Sequence, residues 1–182
     1  MNTSQIPHKL ILIGDAGVGK TSIVNGFQGI PCSCYEPTAG TLFSVFKDSN
    51  TNILFHIYDT AGTEKYRSLT THFMKGSSMA ILVFDVSEKT TFESLDGWIN
   101  FYREKAGQDR PILVVGNKID LERKVSNKDA KEWCSQRDLE YEESSARTGK
   151  NIKEVMNKAF LIASKSPPQE IITTEYSENK CC

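Results

Sequence analysis

The residues best suited to chemistry begin at Gly14-Asp15-Ala16-Gly17-Val18-Gly19-Lys20-Thr21, followed by Ser22. This octapeptide fits the G-x-x-x-x-G-K-[ST] phosphate loop, and it sits in the context that loop requires, after an apolar run and before a helical pattern. Its glycines let the backbone curl so that successive N–H groups point at phosphate oxygens. Lys20 brings a point charge, and the Thr21 hydroxyl suits Mg²⁺. Adenylate kinases, ATPases and GTPases share such a loop, so it leaves the base undetermined. Asn117-Lys118-Ile119-Asp120 directly follows another apolar run. A carboxylate at Asp120 can accept both donors of the guanine edge, a pair that adenine does not present in that arrangement. Lys118 can lay its alkyl stem over the base, Asn117 can tie neighbouring loops together, and Ser145-Ala146-Arg147 can offer a backbone N–H to the guanine carbonyl. Between these lie Asp59-Thr-Ala-Gly62 and Thr38. An Asp at a strand end can hold the Mg²⁺ shell, Gly62 lets a backbone N–H approach a γ-phosphate, and Thr38 can complete the metal's oxygen ligands. The contacts of Gly62 and Thr38 vanish when the γ-phosphate leaves.

To bring these segments together the chain needs strands that end side by side. Short apolar runs alternate with helical patterns, which predicts crossover helices on a mainly parallel sheet. Strands are expected at 9–13, 41–46, 53–58, 79–85, 112–116 and 140–143, and helices at 19–28, 90–105, 127–137 and 151–164. In the last helix Ile152, Val155, Met156, Ala159, Phe160 and Ala163 form one apolar stripe. Only six residues, 47–52, join the second and third strands, too few for a crossover helix, so that pair is expected to be an antiparallel hairpin at the sheet edge. Each chemical segment then falls at a strand's carboxyl end or in a loop beside one, where open α/β sheets bind ligands.

At 182 residues, one domain is the default. With 22 basic and 23 acidic side chains, nothing indicates an electrostatic preference for nucleic acid. The longest apolar runs fall far short of the roughly 20 residues that span a bilayer. The first eight residues lack the basic region and apolar run of a secretory signal, so a reducing compartment is expected and the five cysteines do not imply a disulfide framework.

The order of phosphate loop, Pro37-Thr38, Asp59–Gly62, Asn117–Asp120 and Ser145–Arg147 resembles the Ras superfamily of small GTPases. The stretches Lys9-Leu-Ile-Leu-Ile-Gly-Asp15, Ala39-Gly-Thr-Leu-Phe43, Lys65-Tyr-Arg-Ser-Leu69 and Phe84-Asp-Val-Ser-Glu-Lys-Thr-Thr-Phe92, together with Trp98 and the Cys181-Cys182 end, are similar to the Rab branch. The resemblance implies an α/β P-loop GTPase fold: a six-stranded, mostly parallel sheet with one antiparallel strand and helices on both faces. It divides the chain into an extension at 1–7, a GTPase domain at 8–164 and a flexible tail at 165–182. It further implies a monomeric GTP/GDP switch in vesicle trafficking, on the cytosolic face of an intracellular membrane with a cytosolic pool. The implied partners are an exchange factor, a GTPase-activating protein, a GDP-dissociation inhibitor, an escort protein and effectors. By the same resemblance Lys20, Thr38, Gly62 and residue 63 are catalytic, Tyr35 joins the nucleotide contacts, and Thr21, Thr38 and Asp59 serve Mg²⁺.

Several residues depart from the family pattern. Thr63 stands where most relatives carry the glutamine that orients the attacking water, so slow intrinsic hydrolysis is expected. Activating proteins of the Rab type are expected to bring an arginine and a glutamine of their own. A binding module that stays GTP-loaded is the alternative to a slow enzyme; a nucleotide kinase is disfavoured by Asn117–Asp120. Ala16 replaces a serine or glycine, a minor change. Pro31 falls where relatives place an aromatic against the guanine, in a loop one residue short, and the loss of such a lid is worth about 0.5–1.5 kcal/mol unless Ile30 or Pro31 covers the base. Cys32 and Cys34 lack further ligands at zinc spacing and read as small loop residues. Phe43, Tyr58 and Phe73 fall where the family displays an aromatic triad to effectors, with Tyr58 in place of the usual tryptophan.

After residue 164 the periodicity stops. The polar tail ends in Cys181-Cys182, which looks like the Rab signal for double geranylgeranylation; two lipid chains anchor stably where one is marginal. Lys165 and Lys180 face Glu170, Glu175 and Glu178, so lipid rather than basic charge is expected to do most of the anchoring.

Overall fold

Three segments carry runs of four or more apolar residues, as strands covered on both faces do. They are β1 (His8–Ile13), β4 (Met79–Asp85) and β5 (Ile112–Asn117), and each is buried throughout. The computed structural model describes residues 6–30, 41–49, 51–60 and 67–168, with the side chains of 67–70 left aside. Among them β2 (Thr41–Lys47), β3 (Leu54–Thr60) and β6 (Glu140–Glu143) complete a six-stranded sheet of order β2-β3-β1-β4-β5-β6. Every pairing is parallel except β2 with β3, the edge hairpin, where Phe43 lies opposite Tyr58. The mixed sheet with one reversed edge strand is therefore present as expected.

Alternate residues of the central strands face two cores. On one face Leu10, Leu12, Phe55, Ile57, Ile81 and Val83 pack under α1 (Lys20–Phe27) and the stripe of α6 (Ile152–Lys165). On the other, Ile11, Ile13, Leu82, Phe84 and Val114 meet α2 (Arg67–Met74), α4 (Leu95–Ala106) and α5 (Asn127–Ser135). Helix α5 starts at a serine cap, with the Ser126 hydroxyl accepting the Asp129 N–H at 3.1 Å.

Two elements differ from expectation. The helix expected over 90–105 is divided into α3 (Lys89–Glu93) and α4 by Ser94, although the Ser94 N–H still donates to Thr90 and the Trp98 N–H to Ser94. The Ser94 hydroxyl lies 2.7 Å from Asp15 Oδ2, outside the helix, and 3.0 Å from the Thr91 carbonyl. Helix α2 was not expected: it is eight residues long and contains the β-branched pair Thr70-Thr71, too little periodicity to read in isolation.

Candidate functional site

The order in which strands are added reverses between β1 and β4, which run parallel. β1 leads outward to β3 on one side, and the chain then returns to β4 on the other, which is the kind of switch point where open sheets hold ligands. The glycine-rich loop leaves β1 at that point. Gly14 has φ 133°, and a Cβ there would lie 2.2 Å from the Val83 carbonyl oxygen of β4; at Gly19, φ 97°, it would lie 2.3 Å from Asn117 Nδ2. Side chains at these two positions would therefore push the loop off the sheet. Val18 is buried in the core, Ala16 and Gly17 are exposed at the tip, and Ser22 is buried in the first turn of α1.

Lys20 is buried at the start of α1, and its Nζ donates to the carbonyls of Gly14 and Asp15, both at 2.8 Å. Burial pulls its pKa down to about 8, against the opposing charges of Asp59 and Asp15. Thr21 Oγ1 donates to Asp59 Oδ2 at 2.5 Å, joining the start of α1 to the end of β3. The other carboxylate oxygen, Asp59 Oδ1, is buried with no hydrogen-bond partner. Burial raises the Asp59 pKa, more than the Thr21 hydroxyl and Lys20 lower it. A hard divalent cation is the group that such a set accepts: it would take the orphaned oxygen and repay the burial of the charge. The residues present therefore fit Mg²⁺.

At the end of β5, Asn117 joins three segments. Its Nδ2 donates to the Val18 carbonyl at 2.9 Å, and its Oδ1 accepts from the Ser144 hydroxyl at 3.2 Å and the Ala146 N–H at 3.1 Å. Lys118 has φ 67° and an ion pair from Nζ to Asp85 Oδ2 at 2.7 Å. Asp120 accepts the Ser145 hydroxyl on Oδ1 and lies 2.8 Å from Arg147 Nε on Oδ2. Burial works against its charge, but the Ser145 hydroxyl, a backbone N–H and Arg147 outweigh it and hold the carboxyl below its ordinary value.

The structure thus brings Lys20, Thr21 and Asp59 together at one end of the sheet, with Asn117, Lys118, Asp120, Ser145, Ala146 and Arg147 beside them. Asp15 reaches the cradle through its backbone, while its carboxylate turns to α4. The Ser145 N–H donates to the Lys150 carbonyl and the Ala146 N–H to Asn117 Oδ1. Pro31, Cys32, Cys34, Tyr35, Pro37, Thr38, Gly62, Thr63, Cys181 and Cys182 lie outside the described residues. Asp85, Ser94 and Ser144 were missed. Of these Asp85 was within reach, since it ends a strand next to Asn117.

The aromatic triad is contiguous, with ring centroids 5.1 Å apart from Phe43 to Tyr58 and 5.2 Å from Tyr58 to Phe73. Phe43 is 52% exposed on β2, while Tyr58 and Phe73 lean on the core. Lys9 Nζ sits 4.8 Å from the Tyr58 ring centroid and donates to the Lys75 carbonyl at 3.0 Å.

The model of the Ras family matches residues 9–164. Similar proteins include Ras-related protein Rab-11B of Dictyostelium discoideum, 34% identical over 157 residues that cover 84% of this chain and 71% of the relative. Ras-related protein RABG3f of Arabidopsis thaliana is 35% identical over 174 residues, covering 89% and 84%. Ras-related protein Rab-7b of Mus musculus is 39% identical over 151 residues, covering 79% and 76%.

Proposed function

The chain belongs to the Ras family and, within it, to the Rab small GTPases, and from that premise we propose that it is a membrane-trafficking switch that hydrolyses GTP slowly. The observation that carries this reading is the assembly of Lys20, Thr21 and Asp59 beside Asn117 and Asp120 at one end of the sheet. Backbone N–H groups of 15–19 and the Lys20 ammonium hold the phosphates. Asp120 selects guanine, and Lys118 and Asn117 keep the base and the phosphate loop in register. Thr21, Asp59 and Thr38 would hold Mg²⁺, which would neutralise negative charge on the β- and γ-phosphates. Loss of the γ-phosphate removes the partner of Thr38 and Gly62, which is the switch.

In hydrolysis a water oxygen forms a bond to the γ-phosphorus as the bond to the β–γ bridging oxygen breaks, and Lys20 stabilises the charge that develops. At position 63 the hydroxyl of Thr63 replaces the carboxamide that would align that water. A second reading, a GTP-loaded module that recruits effectors and turns over by exchange, is favoured by the same residue. Effectors meet Phe43, Tyr58 and Phe73. An exchange factor, an activating protein, a GDP-dissociation inhibitor and an escort protein complete the cycle, with geranylgeranyl groups on Cys181 and Cys182 holding the chain on an intracellular membrane.

Single-turnover hydrolysis by the GTP-loaded full chain, with and without a Rab-type activating protein, separates the two. Slow conversion alone that the activating protein accelerates identifies the slow enzyme. Conversion that stays negligible with it identifies the GTP-loaded module.

A further inference from the structure

The phosphate loop has few means of holding its own shape. It contains three glycines, its Ala16 and Gly17 are exposed, and Val18 is the loop side chain that enters the core. Asn117 holds the Val18 carbonyl, and a further anchor is the Asp15 carboxylate. Trp98 Nε1 donates to Asp15 Oδ1 at 2.8 Å, and the Ser94 hydroxyl lies 2.7 Å from Asp15 Oδ2, so both carboxylate oxygens are held by residues 79 and 83 positions later. Trp98 is buried, and its ring meets Phe101 edge-on with centroids 6.2 Å apart. Hydrogen bonds to a carboxylate are about twice as strong as neutral ones, and a packed indole is a stiff donor. The same Asp15 gives its backbone carbonyl to Lys20 Nζ. One residue is thus gripped by α4 through its side chain and grips the phosphate lysine through its backbone.

We propose that Asp15, Ser94 and Trp98 form a clamp by which α4 positions the phosphate loop and, through the Asp15 carbonyl, Lys20. This rests on reading the loop as the nucleotide site. It assigns a role to Ser94 at the junction of α3 and α4, since its hydroxyl reaches Asp15. It also makes α4, against which α2 packs, part of the machinery that retains nucleotide.

The test uses the full chain with Trp98→Phe, which keeps a ring and removes the N–H, and with Ser94→Ala and Ser94→Thr. Release of a fluorescent GDP should be about tenfold faster for Trp98→Phe, the equivalent of one lost charge-assisted hydrogen bond. Ser94→Ala should release it several-fold faster, and Ser94→Thr, which retains the hydroxyl, should return toward the wild-type rate. In a Trp133→Phe background Trp98 is the remaining indole, and its emission should change when EDTA strips the nucleotide. A merely structural tryptophan would alter the unfolding midpoint and leave release rates and this emission change untouched. Wild-type release rates in both Trp98→Phe and Ser94→Ala would overturn the clamp. Amide exchange at 14–19 reads the clamp independently of what the loop binds: faster exchange in either variant supports it and unchanged exchange overturns it. A wild-type chain that binds no GDP would sink the nucleotide reading alone. Should Trp98→Phe fail to fold, the serine pair carries the test.

Discussion

A threonine offers one hydroxyl where a glutamine offers a carboxamide that donates and accepts at once, and under the function proposed above that difference at position 63 falls on the attacking water. In a loose phosphoryl-transfer transition state the protein contributes positioning and charge stabilisation, so a lost orienting group costs about one to two decades of rate, or roughly 1.4–2.8 kcal/mol. Thr63→Gln should recover most of that in intrinsic single-turnover hydrolysis while GTP affinity stays within about twofold, because the residue addresses the water and not the bound ground state. An unchanged rate would move the defect to Ala16 or to the shortened loop before Thr38. At this scale the motif residues were legible because each motif is short and ends a strand: Lys20, Thr21, Asp59, Asn117 and Asp120 each have their own local signal. The carboxylate of Asp15 was not, because its partners Ser94 and Trp98 are brought to it only by the fold.

Among the elements, α6 shows how far apolar spacing reaches. Its stripe was visible in the sequence, but the ring cluster that the stripe completes was not, since it draws on β2, β3 and α1. Phe160 stacks on Phe46 with centroids 4.7 Å apart and lies 4.4 Å from Phe55 and 5.6 Å from Phe27. It therefore fastens the edge hairpin to the body of the sheet. Phe160→Ala should cost about 3–5 kcal/mol in denaturant unfolding, and amide exchange should rise in β2 before it rises in β4. A loss under 1 kcal/mol would show that the hairpin is held otherwise. The strands were read closely because the buried ones are uninterrupted apolar runs and the hairpin connection is short. Helix α2 escaped because eight residues carry too little pattern, and the division at Ser94 because no glycine or proline marks it in the sequence.

For the whole molecule, the sheet gathers the candidate site at the strand ends, and the chain continues past α6 toward the paired cysteines. The net charge of −1 offers no general attraction to an anionic surface, and among the described residues no helix is long and apolar enough to cross a membrane. Under the function proposed above, membrane attachment rests on lipid at Cys181 and Cys182. Removing these two residues should abolish flotation with membranes from cells and leave GDP affinity unchanged, since the residues gathered at the candidate site all precede α6. Persistent flotation would point to another anchor.

The central claim is that this architecture forms a guanine-specific nucleotide site, and competition for a bound fluorescent GDP tests it most directly. Unlabelled GTP and ATP should differ in their ability to displace it by about 10⁴ or more, because a site built to pair both donors of the guanine edge rejects a base that leaves its carboxylate unpaired. Asp120→Asn should shift that preference toward xanthine nucleotide. Displacement by ATP at concentrations comparable to GTP would contradict the account.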